Sequence, residues 1–419
     1  MGRGEFTSAS ILATLGVWFG FIVGPNAMVA ATNSNFLAVM PDVLGTSRTT
    51  ISSVFAVMLW MNALTLPFAG RAMDRFGVRW VIIPGVILFA CTFLALSQVT
   101  SLWQFVVLQL LLAVGATMTS SVGYAKVVAL WFDRNRGKVL GLCVALGAGL
   151  SQTVMPKVSG ALIADHGWSG GYIGIALIIL CIGLPVIFMF VRAPKGTPVG
   201  QAAKLVEAAP SGVPAPIDQI GVTRGEALRQ PIFYLVFFGI MFASMALLGT
   251  IQHAVPMLTE RGLPLSDATT VMSCVFAGVV LGEFSSGFVV DRFNTPRVIL
   301  PYFICGLIGV LTVHTASSLT ILLPGALLMG LGLGGEVGQN AYLISRYFGL
   351  KAFGAIYGMT FAASAVGNGT GLILLGFIRD QTGSYEAGRY LIGTAMTISV
   401  LCIASLRPFI YASASQRAH

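Results

Sequence analysis

The chain has 419 residues, 56% hydrophobic and only 9% charged, with a formal net charge of +9 and a mean hydropathy of +0.86. A soluble domain carries roughly 25% charged residues, so too few are present here to cover a water-facing surface. The six cysteines sit in apolar segments without paired spacing, which indicates neither a disulfide framework nor a metal site.

Apolar stretches of about 20 residues, each long enough to cross a hydrocarbon core, recur along the whole sequence. They are continuous and do not alternate, so they read as helices and not as barrel strands. In chain order the predicted spans begin at 10–38, preceded by the short polar stretch Met1–Ser8 and too long to be a cleaved leader. This span contains Gly24-Pro25-Asn26, a break that frees backbone carbonyls. Spans at 50–70, 80–98, 102–131, 137–164 and 171–192 complete a first group of six. The stretch 193–229 carries Pro194, Pro198, Pro210, Pro214 and Pro216 and reads as a linker. Six further spans follow at 230–256, 267–288, 297–315, 318–346, 351–377 and 386–406.

Twelve spans place both termini on one side of the membrane, and most of the 24 Lys and Arg residues fall on that side. Cytoplasmic loops collect such residues, so both termini are expected in the cytoplasm of a multi-pass cell (inner) membrane protein. The same rule accounts for the positive net charge without invoking nucleic acid. The predicted architecture is an all-α membrane protein of twelve transmembrane helices, with residues 1–192 as one six-helix half, 193–229 as a cytoplasmic linker and 230–419 as the second half.

The halves repeat. Gly70, Asp74, Arg75 and Phe76 follow the second span, and Gly287, Asp291, Arg292 and Phe293 follow the eighth at one constant spacing. Gly137 and Gly141 recur as Gly354 and Gly358 at the same spacing, and Trp131-Phe132 recurs as Tyr347-Phe348 one residue off it. This is a parallel repeat of two transporter halves. The stretch Gly70-x-x-x-Asp74-Arg75-x-Gly77-x-Arg79 resembles the signature loop of the major facilitator superfamily, and the second copy, with Asn294 and Pro296 at two signature positions, is degenerate. The resemblance implies that Gly70, Asp74, Arg75, Gly77, Arg79, Asp291 and Arg292 serve gating. Physically, Asp74 can accept from the N-terminus of a neighbouring helix, while Arg75 and Arg79 can pair with acids or lipid phosphates. Trp131-Phe132 with Arg136-Gly137, Gln252-His253-Ala254-Val255-Pro256, Arg346-Tyr347-Phe348-Gly349 and Asp380-x-Thr382-Gly383-Ser384-Tyr385 look like the oxalate–formate and monocarboxylate branch. That branch implies a small organic anion as substrate, often moved with a proton.

Polar residues within spans are costly and mark a cavity or a partner. Lys126, five residues before Trp131, either binds a substrate carboxylate or snorkels to the interface. Lys157, beside Pro156, faces the same alternatives. Glu336 lies within Gly334-Gly335-Glu336-Val337-Gly338-Gln339-Asn340 at mid-span. Low-dielectric surroundings favour a protonated carboxyl, which makes Glu336 a candidate proton carrier. Glu283 is a second candidate and stands where the anion-transporting branch often has a basic residue. His253 suits proton handling or substrate contact, and Asn26, Gln152, Asn340 and Asn368 are candidate cavity residues.

The sequence holds no phosphate-cradling glycine loop with lysine, no acidic metal cluster and no catalytic constellation. It predicts a secondary transporter that acts as a monomer without cofactor or metal and moves small mono- or dicarboxylates, aromatic ones among them, with protons by alternating access. The competing expectation is a proton-driven exporter of amphipathic or cationic compounds.

Overall fold

The computed structural model describes residues 6–132, 135–192, 194, 221–292, 295–349 and 351–409; the side chains of Arg136, Gly137, Val290 and Asp291 also lie outside this description. Of the expected linker, therefore, only 194 and 221–229 are described. Within the described residues the chain is helical, and it divides into two compact units.

The first unit comprises Met1–Thr46 and Val57–Val213. Helix α1 (Ser8–Ile22) starts with a capping box, in which Thr7 and Ser10 satisfy each other's backbone N–H. It stops at Gly24-Pro25, where Pro25 has no N–H to continue the ladder. A π-helical turn, Asn26–Ala30, then leads into α2 (Asn33–Val43). The predicted first span is thus a broken helix. Helix α3 (Arg48–Phe76) ends at Gly77, whose φ of 90° an L side chain would resist, and this tight turn starts α4 (Val78–Leu96) at once. The fourth predicted span is interrupted as well, as α5 (Leu102–Met118) and α6 (Ser121–Trp131). Helix α7 (Arg136–Cys143) and a π turn at Val144–Gly149 lead into α8 (Leu150–Leu177), and α9 (Leu184–Phe190) closes the unit. One continuous apolar helical run, Lys138–Phe190, covers the fifth and sixth predicted spans. The turn between them is Gly167 (φ 72°), the one non-helical residue inside α8.

The second unit comprises Ser47–Ala56 and Pro214–His419. The first turns of α3 therefore belong to it. A short helix α10 (Arg224–Ala227) carries its own capping box, Thr223 with Glu226. Accepting from the Thr223 N–H holds the Glu226 carboxyl below the ordinary carboxylate range. The chain ahead of α10 is pinned by the Val222 N–H, which donates to the Phe348 carbonyl at 2.9 Å. Then come α11 (Pro231–Glu260), α12 (Leu265–Arg292), α13 (Leu300–Thr315), α14 (Leu319–Phe348), α15 (Phe353–Thr382) and the shorter α16 (Gly388–Ala404).

Among the described residues ten helical runs are long and apolar enough to cross a membrane, and the shorter α16 follows them. With Lys138–Phe190 counted as two crossings, the predicted twelve are accounted for. Helix α14 packs along both α12 and α13, and α11 runs along α15. The α12–α14 seam is built from bare backbone. A Cβ on Gly330 or Gly334 would strike the carbonyl of Val275 or Val279, and one on Gly278 or Gly282 the carbonyl of Leu327 or Leu331. Apolar helices gain nothing from burying surface in lipid, so close approach at small residues is what joins them.

Candidate functional site

In the first unit the signature loop is organised around Lys126. Its Nζ meets Asp74 Oδ1 at 2.6 Å and donates to the Gly70 carbonyl at 3.1 Å, with 5% of the Lys126 side chain exposed. The acid of the motif thus binds a lysine of α6 and not a helix N-terminus, and the lysine considered for substrate is matched by an acid of the signature loop. Arg79 donates to the Phe188 carbonyl at 2.9 Å and lies over the Phe188 ring, while Arg75 is exposed and lies over Phe76. Neither arginine ion-pairs with an acid among the described residues. Gly77 supplies the turn, and the space beside Gly70 is open. The candidates Asn26 and Lys157 are exposed and Gln152 is half-buried. Asn35, which sequence reasoning passed over, ties α2 to α8 by donating to the Pro156 carbonyl at 2.8 Å and to Ser159 Oγ at 2.7 Å.

In the second unit the sequence Gly334-Gly335-Glu336-Val337-Gly338 places each residue by its angle on α14. Gly334 meets α12 backbone, Gly335 lies under the Tyr302 ring of α13, and Gly338 faces Ser286 of α12. Val337 is 54% exposed. Glu336 therefore points to the remaining side, towards α11 and α15, and is 5% exposed. Ser244 of α11 donates to its Oε1 at 2.7 Å. Ser244 Oγ also lies 2.6 Å from Ser364 Oγ of α15. A hydroxyl has one proton to give, so Ser364 must be the donor to Ser244. The result is a directed chain from Ser364 to Ser244 to Glu336. One turn on, Asn340 Oδ1 accepts from Thr360 Oγ1 at 3.1 Å. Asn368 is half-buried, with an enclosed Oδ1 that has no partner among the described residues. Glu283 on α12 is exposed and makes no ion pair among the described residues. Arg292 is exposed at the end of α12, and the Asp291 side chain lies outside the described residues.

His253 sits apart from Glu336. It is completely buried, with Nε2 2.8 Å from the Leu372 carbonyl and Nδ1 3.0 Å from the Tyr385 hydroxyl; Ser52 Oγ also lies 3.3 Å from Nε2. A carbonyl only accepts, so Nε2 carries the proton and Nδ1 accepts from Tyr385. The histidine is thereby fixed as a crosslink between helices. Beside it, Asp380 accepts from the backbone N–H of Thr49 at 2.8 Å and from the Thr49 hydroxyl at 2.5 Å, capping the start of α3. Glu260 pairs with Arg48 at 2.8 Å and with Arg379 at 3.1 Å. Two stretches noted as branch markers, 252–256 and 380–385, thus meet on one structural task.

The sequence signalled Glu336, Lys126 and the loop but missed Ser244, Ser364, Thr360 and Gln339. Serine and threonine are ordinary in membrane helices, where they bond the preceding turn, and nothing local separates these from the others. Gln339 stood beside Asn340 and was the more buried of the two, at 1% against 7% exposed.

The sequence model of the Major Facilitator Superfamily matches residues 19–372 and 237–417. The chain is similar to the MFS transporter asaE of Aspergillus flavus, 24% identical over 343 residues that make up 80% of this chain and 72% of that one. It is 23% identical to the 4-hydroxybenzoate transporter PcaK of Acinetobacter baylyi over 77% of this chain and 78% of that protein. It is 26% identical to a gallate transporter of Pseudomonas putida over 79% of this chain and 80% of that one. Among solved structures, a bacterial homologue of the human lysosomal transporter Spinster superposes with a TM-score of 0.67 at 13% identity, covering 96% of both chains.

Proposed function

The chain belongs to the Major Facilitator Superfamily, a multi-pass membrane transporter and not an enzyme, and from that premise we propose that it is a proton-coupled carrier of small organic anions, with hydroxylated aromatic carboxylates as the first compounds to test. The observation that carries the proton reading is Glu336, a carboxyl inside a membrane-spanning helix whose contact is a serine hydroxyl and not a cation. An ionised carboxylate held this way is expensive in a low dielectric, so Glu336 gains and loses a proton as the transport cycle changes its access to water. Transport by the relatives of 4-hydroxybenzoate and gallate supports the choice of substrate class. The four motifs that resemble the oxalate–formate branch point to the same broad class.

In this reading Asn340, Asn368, Gln152, Asn26, Lys157 and His253 contribute to substrate binding or to its frame. Glu283 is a second proton group, and the loop from Gly70 to Arg79, with Asp291 and Arg292, controls access. Lys126 acts through Asp74 and not on the substrate. The carrier functions as a monomer in the inner membrane with both termini in the cytoplasm.

The test is uptake of labelled 4-hydroxybenzoate and gallate into proteoliposomes under an imposed pH gradient. Wild-type protein should concentrate the acid when the outside is acidic, and Glu336→Gln should lose the response to the gradient while keeping downhill exchange. Unchanged pH dependence in Glu336→Gln would remove the proton role. Movement of lipophilic cations and no acid would instead establish the exporter reading.

A further inference from the structure

Three polar atoms on side chains three residues apart on α14 have no hydrogen-bond partner among the described residues: Oε2 of Glu336 and both amide atoms of Gln339. Glu336 is 5% exposed and Gln339 1%. A buried polar group without a partner is costly, and three together call for a ligand. Residues three apart are neighbours on a helix surface. Gln339 lies about 60° around α14 from Glu336, on the side away from Asn340 and next to Gly335, which packs on α13. The carboxyl and the amide therefore lie on adjoining sectors of α14, beside α11 and α13.

The unpaired set is a carboxyl oxygen, an amide oxygen and an amide N–H donor. A cation would suit the two oxygens but would face the positive end of the amide. An anion would suit the donor and be repelled by both oxygens. A single water suits all three. It accepts from Gln339 Nε2, donates one hydrogen to Gln339 Oε1 in the cyclic arrangement that primary amides form, and donates the other to Glu336 Oε2. Three hydrogen bonds are what buried waters typically make.

We infer that Gln339 holds a buried water against Glu336 Oε2, and that this water stays hydrogen-bonded to the carboxyl in both of its protonation states, donating to the carboxylate and accepting from the carboxylic acid. The inference rests on the reading of Glu336 as the proton carrier. The carboxyl then stands between two arms. On Oε1 the Ser364–Ser244 chain donates in one direction only, and on Oε2 the water can reverse: it donates to the carboxylate and accepts from the carboxylic acid. Gln339 is a positioning residue. The other titratable groups on the helices packed against α14 here include Tyr302 of α13, whose hydroxyl donates to Ser285, the half-buried Cys305 of the same helix, the exposed Glu283 of α12 and Tyr357 of α15. On α11, His253 lies nine residues beyond Ser244, about 13 Å along the helix. On α14 itself Arg346 lies ten residues on and stacks over Tyr342 and Phe409.

The experiment is infrared difference spectroscopy of the full-length protein in lipid nanodiscs during a pH titration, without substrate. The C=O band of protonated Glu336 is assigned by its loss in Glu336→Gln, and bound water by its shift in H₂¹⁸O. Wild-type protein should show a water band that changes together with the Glu336 band. Gln339→Met should abolish the water band and raise the midpoint of the C=O titration by about one pH unit, because the carboxylate loses a donor. Gln339→Ser, whose hydroxyl and vacated space can seat the water again, should restore both. The inference is overturned if Gln339→Met, with an unchanged melting temperature, leaves band and midpoint as they were. Should that variant not fold, a wild-type spectrum with no isotope-sensitive water band overturns it equally. The absence of any Glu336 titration is a different result, and removes the proton reading itself.

Discussion

Replacing Asp74 by Asn removes the negative charge that Lys126 reaches at 2.6 Å and leaves a nearly buried ammonium with neutral oxygen acceptors only. Breaking such a pair from one side costs about 3 kcal/mol, so Asp74→Asn should lower the melting temperature clearly. Lys126→Met should be milder, because Asp74 is 30% exposed and water can solvate it. The double variant should be more stable than the sum of the two losses implies. Simple additivity in that cycle would mean that the pair is incidental. The motif's acid was legible in the sequence, but its partner was not, since 52 residues separate Asp74 from Lys126 and no local pattern couples them. His253 shows the opposite limit. Its type suggested proton chemistry, and only its neighbours, a carbonyl on one nitrogen and a phenol on the other, reveal a fixed tautomer.

Helices in this protein are placed by what they lack. Gly330 and Gly334 let α14 lie against α12 with carbonyls where Cβ atoms would otherwise be, and Gly335 admits the Tyr302 ring. Gly330→Val should force the seam apart. Overpacking of this kind costs typically 1–3 kcal/mol, and displacement of α14 would carry Glu336 away from Ser244. The variant should therefore lose both thermal stability and gradient-driven uptake. Retention of full uptake would show that the seam does not set the Glu336 geometry. At this scale hydropathy read the crossings well and their interruptions poorly. The break at Gly24-Pro25 was visible because proline removes a donor. The break between α5 and α6 at Thr119-Ser120, and the turn at Gly167 inside an unbroken apolar run, carry no such mark. A hydropathy window sums composition and is blind to the direction of the backbone.

Across the whole molecule, an even number of crossings makes one claim that sequence and structure approach from different sides. Single cysteines introduced at Phe6 and Phe409, in a background free of the six native ones, should both resist a membrane-impermeant thiol reagent in intact cells and both react after permeabilisation. Labelling of one alone would break the twelve-span topology. The sequence leads one to expect two six-helix halves joined by the linker, and the contacts group the chain into two units of which one takes in a short stretch of α3. Residues 47–56 belong to the second unit, held by Asp380 at Thr49 and by Glu260 at Arg48. No sequence signal announces this, because those contacts span more than 200 residues.

That grouping has a bearing on ancestry. At the spacing of the internal repeat, the counterpart of residues 47–56 begins at Pro264, just ahead of α12, and stays within the second unit. The two copies therefore group differently: ten residues of the first copy, most of them the start of the unbroken helix α3, cluster with the second unit, and their counterparts stay in their own. If the chain descends from a duplicated half-length ancestor, its copies have since diverged at this segment. Two first halves fused in tandem would carry residues 47–56 twice and the Asp380 that caps them not at all.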